Sequence, residues 1–385
     1  MPTKRPIYLD HNATTPVDPA VFAAMRPYLE AEFGNPSSGH AYGQAAHEAV
    51  EHARREVAEL LGAEPAEIVF TGGGSEADNL AICGVAFSQR DRGRHIVTTA
   101  VEHPAVLNTC RYLHRRHGFA VTVLPVDQTG IVDPDDVRRA IRDDTILVSV
   151  MHAQNEVGTV QPVAEIAAAV RGRGVAFHTD AAQSVGKVPV RVNDLGVDLL
   201  AVAGHKLYAP KGVGVLFVRS GLTLEPLVHG AGHEGGRRAG TENVAGIVGL
   251  GKACALARGH LDEEAGRLRG LRNELWTRLT TAIPGLRLHG NPERRLPNTL
   301  NFGVPGLSGE DLLAAAPGIA ASTGSACHAG RTEPSGVLLA MGLVGEDALT
   351  AVRLSLGRFT TEEDVRSAAN LLIAAAANLA DGRRG

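Results

Sequence analysis

Two apolar runs in the middle of the chain each end in residues that can do chemistry. The run 175–178 leads into Thr179, Asp180 and, three residues on, Gln183. The run 199–203 stops at Gly204, His205 and Lys206. Each run reads as a buried parallel strand, and in open α/β sheets ligands bind at the carboxyl ends of the strands. An acid, an amide, an imidazole and an amine are therefore aimed at one place. A desolvated lysine has a lowered pKa and can form a Schiff base with an aldehyde; the plainer alternative is a strand-edge lysine reaching water. An acid beside a pyridine nitrogen keeps that ring protonated and electron-withdrawing, whereas an Asp at this position could equally cap the next helix.

Further candidates lie along the chain. The strand 67–71 runs into Gly72-Gly73-Gly74-Ser75-Glu76 and then a helix over 75–87. Glycines at a helix start let backbone N–H groups approach a phosphate, and the helix dipole favours the anion. No lysine follows the glycines, so this is not a nucleotide-triphosphate loop, and the spacing is wrong for a dinucleotide fingerprint; a tight strand-to-helix turn is the alternative. His103 follows the strand 95–99 and, like His205, could stack on a flat ring and move protons. Arg353, inside the strand 351–355, suits bidentate capture of a carboxylate, with Asn155 as an added amide donor, or else a structural ion pair. Cys327 lies in a loop of small residues beside His328, an arrangement that allows a nucleophilic thiolate. Cys83, Cys110 and Cys254 fall in helical patterns and read as inert core.

The elements that must hold these residues alternate. Strands are expected at 67–71, 95–99, 121–125, 146–151, 175–178, 199–203 and 213–218, with helical patterns at 19–33, 44–61, 75–87, 104–113 and 163–171. This alternation predicts a mostly parallel sheet covered on both faces. The Gly- and Arg-rich stretch 230–241 reads as a surface loop reaching a partner subunit. Helices over 245–257 and then to 279 precede a second unit that begins near Leu286 and closes with a helix from Thr361.

The bulk numbers fit two domains of an ordinary globular protein: 385 residues with a formal net charge of −4. That charge leaves no footprint for direct nucleic-acid contact. No apolar stretch is long enough for a bilayer, and no secretory signal is expected at the start. Four scattered cysteines suggest neither a metal site nor a disulfide framework, and a cytoplasmic location follows as the default.

With these residues placed, the chain resembles the class V aminotransferase family of pyridoxal-phosphate enzymes, and within it the NifS/IscS cysteine desulfurases, including the members serving DNA phosphorothioation. The likeness spans nearly the whole chain. It is carried by Tyr8-Leu9-Asp10, Ala13-Thr14-Thr15-Pro16, Phe33-Gly34-Asn35-Pro36, Glu76 with Asp78-Asn79-Leu80, residues 143–149, 180–186, 204–206, 238–241 and 324–327, and residues 353–361.

The resemblance implies fold type I: a large domain with a mostly parallel seven-stranded sheet, residues 15–258, and a small α+β domain from residues 1–14 and 259–385. It implies that Lys206 carries pyridoxal 5′-phosphate, that Asp180 pairs with the ring nitrogen and Gln183 with the ring oxygen, and that His103 stacks on the ring. Gly74, Ser75 and His205 would hold the phosphate, with Thr241 donated by the second protomer of a homodimer. Arg353, Asn155 and Asn35 would bind the substrate, L-cysteine. Cys327 would take its sulfur as a persulfide, leave alanine, and pass the sulfur to an acceptor protein in iron–sulfur or nucleic-acid thiolation or phosphorothioation pathways. Three positions depart from the pattern: Ala203 for a usual Ser, Ala209 for a Gly, and His328 for a Thr. The Cys-His pair is also similar to selenocysteine lyases. Two more activities fit the same residues: a class V aminotransferase that does not use Cys327, and a scaffold that merely relays persulfide.

Overall fold

A computed structural model describes residues 5–323 and 334–382. The expectations for Cys327 and His328 fall outside these residues.

The chain opens with β1 (Ile7–Tyr8), α1 (Pro19–Glu30) and α2 (Ala41–Leu61). Asp18 caps α1 by accepting from the Ala20 N–H, and Gly62, at φ +66°, ends α2. The alternating part follows: β2 (Ile68–Thr71), α3 (Gly74–Ser88), β3 (His95–Thr99), α4 (Pro104–His117), β4 (Ala120–Leu124), α5 (Pro134–Ala140), β5 (Thr145–Ser149), α6 (Val163–Val170), β6 (Ala176–Asp180), α7 (Val192–Leu195), β7 (Leu199–Ala203) and β8 (Gly214–Val218). Next come α8 (Val244–Ala282), β9 (Arg287–Leu288), β10 (Thr299–Gly303), α9 (Gly309–Ala314), β11 (Ile319–Ala320), α10 (Gly336–Ala340), α11 (Glu346–Leu349), β12 (Ala351–Ser355) and α12 (Glu362–Gly382).

Seven strands form one sheet in the order β2-β8-β7-β6-β5-β3-β4. Strands β3 to β7 pair in parallel, while β8 runs antiparallel to both neighbours. The reason is the connection: only a short turn region separates β7 from β8, too little for a helical crossover. The central strands are buried along their whole length, which explains why they read as continuous apolar runs rather than alternating ones. Aliphatic residues on the two faces pack under helices: Val148, Phe177 and Leu200 lie in one buried cluster, and Leu147, Ala201 and Leu216 in another.

A third cluster, with Leu9, Leu275, Leu300, Phe302, Leu354 and Leu372, gathers β1, the distal half of α8, β10, β12 and α12. The sheet here is β12-β10-β9, antiparallel throughout.

Two expectations need correction. The expected break near residue 257 does not occur: α8 is a single helix of 39 residues. Gly259, Gly266 and Gly270 face open space, and each such glycine costs only about 1 kcal/mol. Packing of one end on α1 and α2 and of the other on α12 holds the helix straight through. Helix α4 also continues past Leu113 to His117, where Gly118 at φ +70° stops it.

Candidate active site

Strand ends, turns and the N-terminal segment converge at the carboxyl edge of the large sheet. Asp180 is the last residue of β6, and it is 5 % exposed. Its Oδ1 accepts from the Ala182 N–H at 2.8 Å. His103 caps α4, its Nδ1 accepting from the Ala105 N–H at 3.1 Å. Ligating atoms of Asp180, His103 and Asp78 lie within 4.8 Å of one another. Burial pushes the Asp180 carboxyl above the usual carboxylate range, opposed by His103, the Ala182 amide and Lys206. Burial likewise lowers His103, against the pull of Asp180. The His103 imidazole and the buried Asp180 carboxyl therefore stand side by side.

Lys206 ends the turn Gly204–Lys206 that follows β7. Its Nζ donates to the carbonyls of Asn12 and, at 2.7 Å, Ala13. His205 Nδ1 lies 3.1 Å from Thr14 Oγ1, and Thr15 closes the same turn by donating to the His205 carbonyl. Burial and the charges of Lys206, Lys211 and Lys187 lower the His205 imidazole to about 4. Gln183 Nε2 donates to the Asn12 carbonyl at 2.9 Å.

The glycine turn faces the same edge. Gly73 has φ +149°, and α3 starts at Gly74 without a side-chain cap. A Cβ at Gly74 would stand 3.1 Å from the Ala203 Cβ, and one at Gly214 would stand 2.6 Å from the Gly73 carbonyl carbon. Gly74 is thus packed closely against β7, and Gly73 against β8. Ala203 abuts Gly74 directly.

Arg353 is 2 % exposed in β12. Its Nη2 donates to Asp10 Oδ1 at 2.7 Å and its Nη1 to the Asn155 carbonyl at 3.1 Å. Its Nε has no hydrogen-bond partner among the described residues. Asn155 and Arg353 are therefore brought together, though through the Asn155 backbone. Asn35 and Thr241 are not joined to this group by any described hydrogen bond: both are exposed, and Asn35 accepts from the Ser37 N–H in its own loop.

Two residues were not singled out from sequence. Asn12, 1 % exposed, links both lobes: it accepts from Lys206, Gln183 and Asn298, and donates to Asn155 and Thr299. Lys187 is buried four residues after Gln183 and donates to Gln183 Oε1 at 2.9 Å and Asn12 Oδ1 at 3.3 Å. A lysine flanked by Val185, Val188 and Val190 was a signal that could have been used.

A chain with this fold and this arrangement of lysine, acid and glycine turn belongs to the class-V aminotransferase family, whose pattern matches residues 7–367. It is 47 % identical over 371 residues to the cysteine desulfurase IscS of Dictyoglomus turgidum, covering 96 % of this chain and 94 % of that one. Among solved structures it is similar to a NifS-like protein (TM-score 0.90, 38 % identity, 96 % of this chain and 98 % of that one). It is also similar to DndA from Streptomyces lividans (TM-score 0.76, 38 % identity, 89 % and 97 % covered). Within the family its activity is that of a pyridoxal-phosphate-dependent cysteine desulfurase.

The residues present fit that cofactor. The raised Asp180 carboxyl would receive a protonated ring nitrogen, and the glycine turn at the start of α3 offers backbone N–H groups to a phosphate. Lys206 and His205, held in one turn, could both donate to anionic oxygens.

Proposed function

We propose that Lys206, Asp180, His103 and Gln183 hold pyridoxal phosphate for the conversion of L-cysteine to L-alanine, and that Cys327 receives the sulfur. The observation that carries this reading is the convergence of a lysine, a buried carboxyl and an imidazole at one sheet edge, bounded by the N-terminus of α3. When bound, the cofactor supplies an electron sink for the substrate carbon skeleton.

Every other step falls to side chains. Lys206 would hold the cofactor, and its amine would move the substrate Cα proton. Asp180 keeps the ring nitrogen protonated. Gly74, Ser75 and His205 hold the phosphate, joined by Thr241 of a second protomer. Arg353, with Asn155 and Asn35, receives the substrate carboxylate. The Cys327 thiolate attacks the substrate sulfur: a sulfur–sulfur bond forms, the Cβ–S bond breaks with its electron pair left on the carbon skeleton, and a proton completes alanine. The persulfide sulfur then passes to an acceptor protein, in an iron–sulfur or phosphorothioation pathway.

Homodimerisation is supported by the exposed Phe22, Leu29, Phe33 and Tyr42 on and beside α1 and α2, and by the exposure of Thr241. The packing of Leu9 with the cluster around Leu300 supports a small domain built from 1–14 and 259–385 beside a large domain of 15–258. No described helix is long and apolar enough to cross a membrane. The cytoplasm, where thiols are kept reduced, is the compartment that suits a persulfide-forming Cys327.

The test is to supply L-cysteine to the loaded enzyme and measure alanine and persulfide together. Lys206→Ala is expected to abolish both, and Cys327→Ser to abolish persulfide transfer. Full sulfur release by Cys327→Ser would overturn the thiolate step.

A further inference from the structure

Lys187 sets its ammonium against the Gln183 and Asn12 side chains. It is 8 % exposed, and its Nζ sits between Gln183 Oε1 at 2.9 Å and Asn12 Oδ1 at 3.3 Å. Gln183 has no freedom left in its orientation. With Oε1 on the ammonium, Nε2 reaches the Asn12 carbonyl at 2.9 Å; a flipped amide would set two donors against Lys187 and two acceptors against each other. One Nε2–H then remains to donate elsewhere.

The charged groups that bear on Lys187 from the packed elements are Lys206 after β7 and Arg353 in β12. His11 and His205 in turn feel its charge. All are basic. The Asn12 amide that faces Lys187 also accepts from Asn298 Nδ2 at 3.1 Å, so its oxygen is shared. Of the cations, Arg353 is paired with Asp10 at 2.7 Å, and Lys206 also bears on Asp180. Burial and the two neighbouring cations press the Lys187 ammonium down to about 7.

We propose that Lys187 is a positioning residue: it locks the Gln183 amide as a donor toward the cofactor's ring oxygen, and its charge disfavours a protonated Lys206 nitrogen. The inference rests on the reading of Lys206 and Gln183 as cofactor-holding residues. A lysine that served only to fill space would make neither contribution.

The experiment follows the visible absorption of the loaded enzyme against pH, with kcat, KM for L-cysteine and the melting temperature measured on the same preparations. In Lys187→Met the midpoint of the colour change is expected to rise by about one pH unit, as loss of a like charge bonded to the same residue, Asn12, requires. kcat/KM should fall by about tenfold or more. Lys187→Gln, neutral but polar, is expected to shift the midpoint in the same direction should the Met variant fold poorly, and Lys187→Arg to return it toward wild type. A wild-type midpoint in both neutral variants, whatever their melting temperatures, would overturn the proposal. Wild-type protein that takes up the cofactor without a visible band would instead overturn the reading of Lys206, and this inference with it.

Discussion

Arg353 Nη2 donates to Asp10 Oδ1 at 2.7 Å, so the guanidinium assigned to the substrate is already held by a residue 343 positions away. The pair lies in the seam where Asp10 bridges Ser355 and Ser322 bridges Arg353. Two of the three guanidinium nitrogens are thereby fixed, one on a carboxylate and one on the Asn155 carbonyl.

Lysine cannot reproduce that fork. Arg353→Lys is expected to raise KM for L-cysteine about tenfold, equivalent to ~1.4 kcal/mol, with a smaller effect on kcat. Steady-state kinetics checks this; an unchanged KM would show that Arg353 serves the ion pair alone.

The loop that carries Thr241 is pinned by a buried ion pair. Glu234 takes both Nη groups of Arg54, at 2.8 and 2.9 Å, and the Phe70 N–H at 2.8 Å. Glu234→Ala removes the bidentate pair but leaves Arg54 on Glu51 at 2.9 Å and the Ile68 carbonyl at 2.8 Å, so a cost of about 1–3 kcal/mol is expected. Denaturant unfolding should show the loss, and hydrogen exchange should quicken over residues 230–241. If Thr241 reaches a partner's phosphate site, cofactor affinity should weaken in the same variant.

The turn before α3 offers a cleaner probe of phosphate binding. A methyl at Gly74 meets the Ala203 Cβ at 3.1 Å, tight enough to move the turn without unfolding it. Gly74→Ala is expected to weaken cofactor binding about tenfold or more while the melting temperature of the cofactor-free protein moves by a few degrees at most. Titration with pyridoxal phosphate decides it.

Acid stability should depend on buried imidazoles. Burial lowers His152 to about 4, against about 6.5 in the unfolded chain. Between those values the unfolded chain binds the extra proton, so stability is lost as pH falls from about 6.5 to about 4. His152→Gln, which can still meet Ser184, should remove on the order of 1–2 kcal/mol of the difference between pH 7 and pH 5. Urea unfolding at the two values measures it; an equal loss of stability in both proteins would refute the assignment.

Local order along the chain was legible because each element carries its own signal. The central strands are apolar throughout since both faces are covered, Asp18 and Gly62 mark helix ends, and Lys206 and Asp180 stand out as charges at the ends of apolar runs. The same logic failed where distant packing overrode local preference. Two helices were expected over 245–279, yet tertiary contacts at both ends carry α8 through as one. The sequence by itself determined which strands and turns exist and which residue types stand at their ends. Only the tertiary structure decided that Asn12 joins Lys206 to the second lobe, that Arg353 is shared with Asp10, and that Lys187 backs Gln183. Those relations are made by side chains far apart in the chain, and no periodicity records them, because hydrogen bonds between distant segments depend on how the sheets are brought together and not on local spacing.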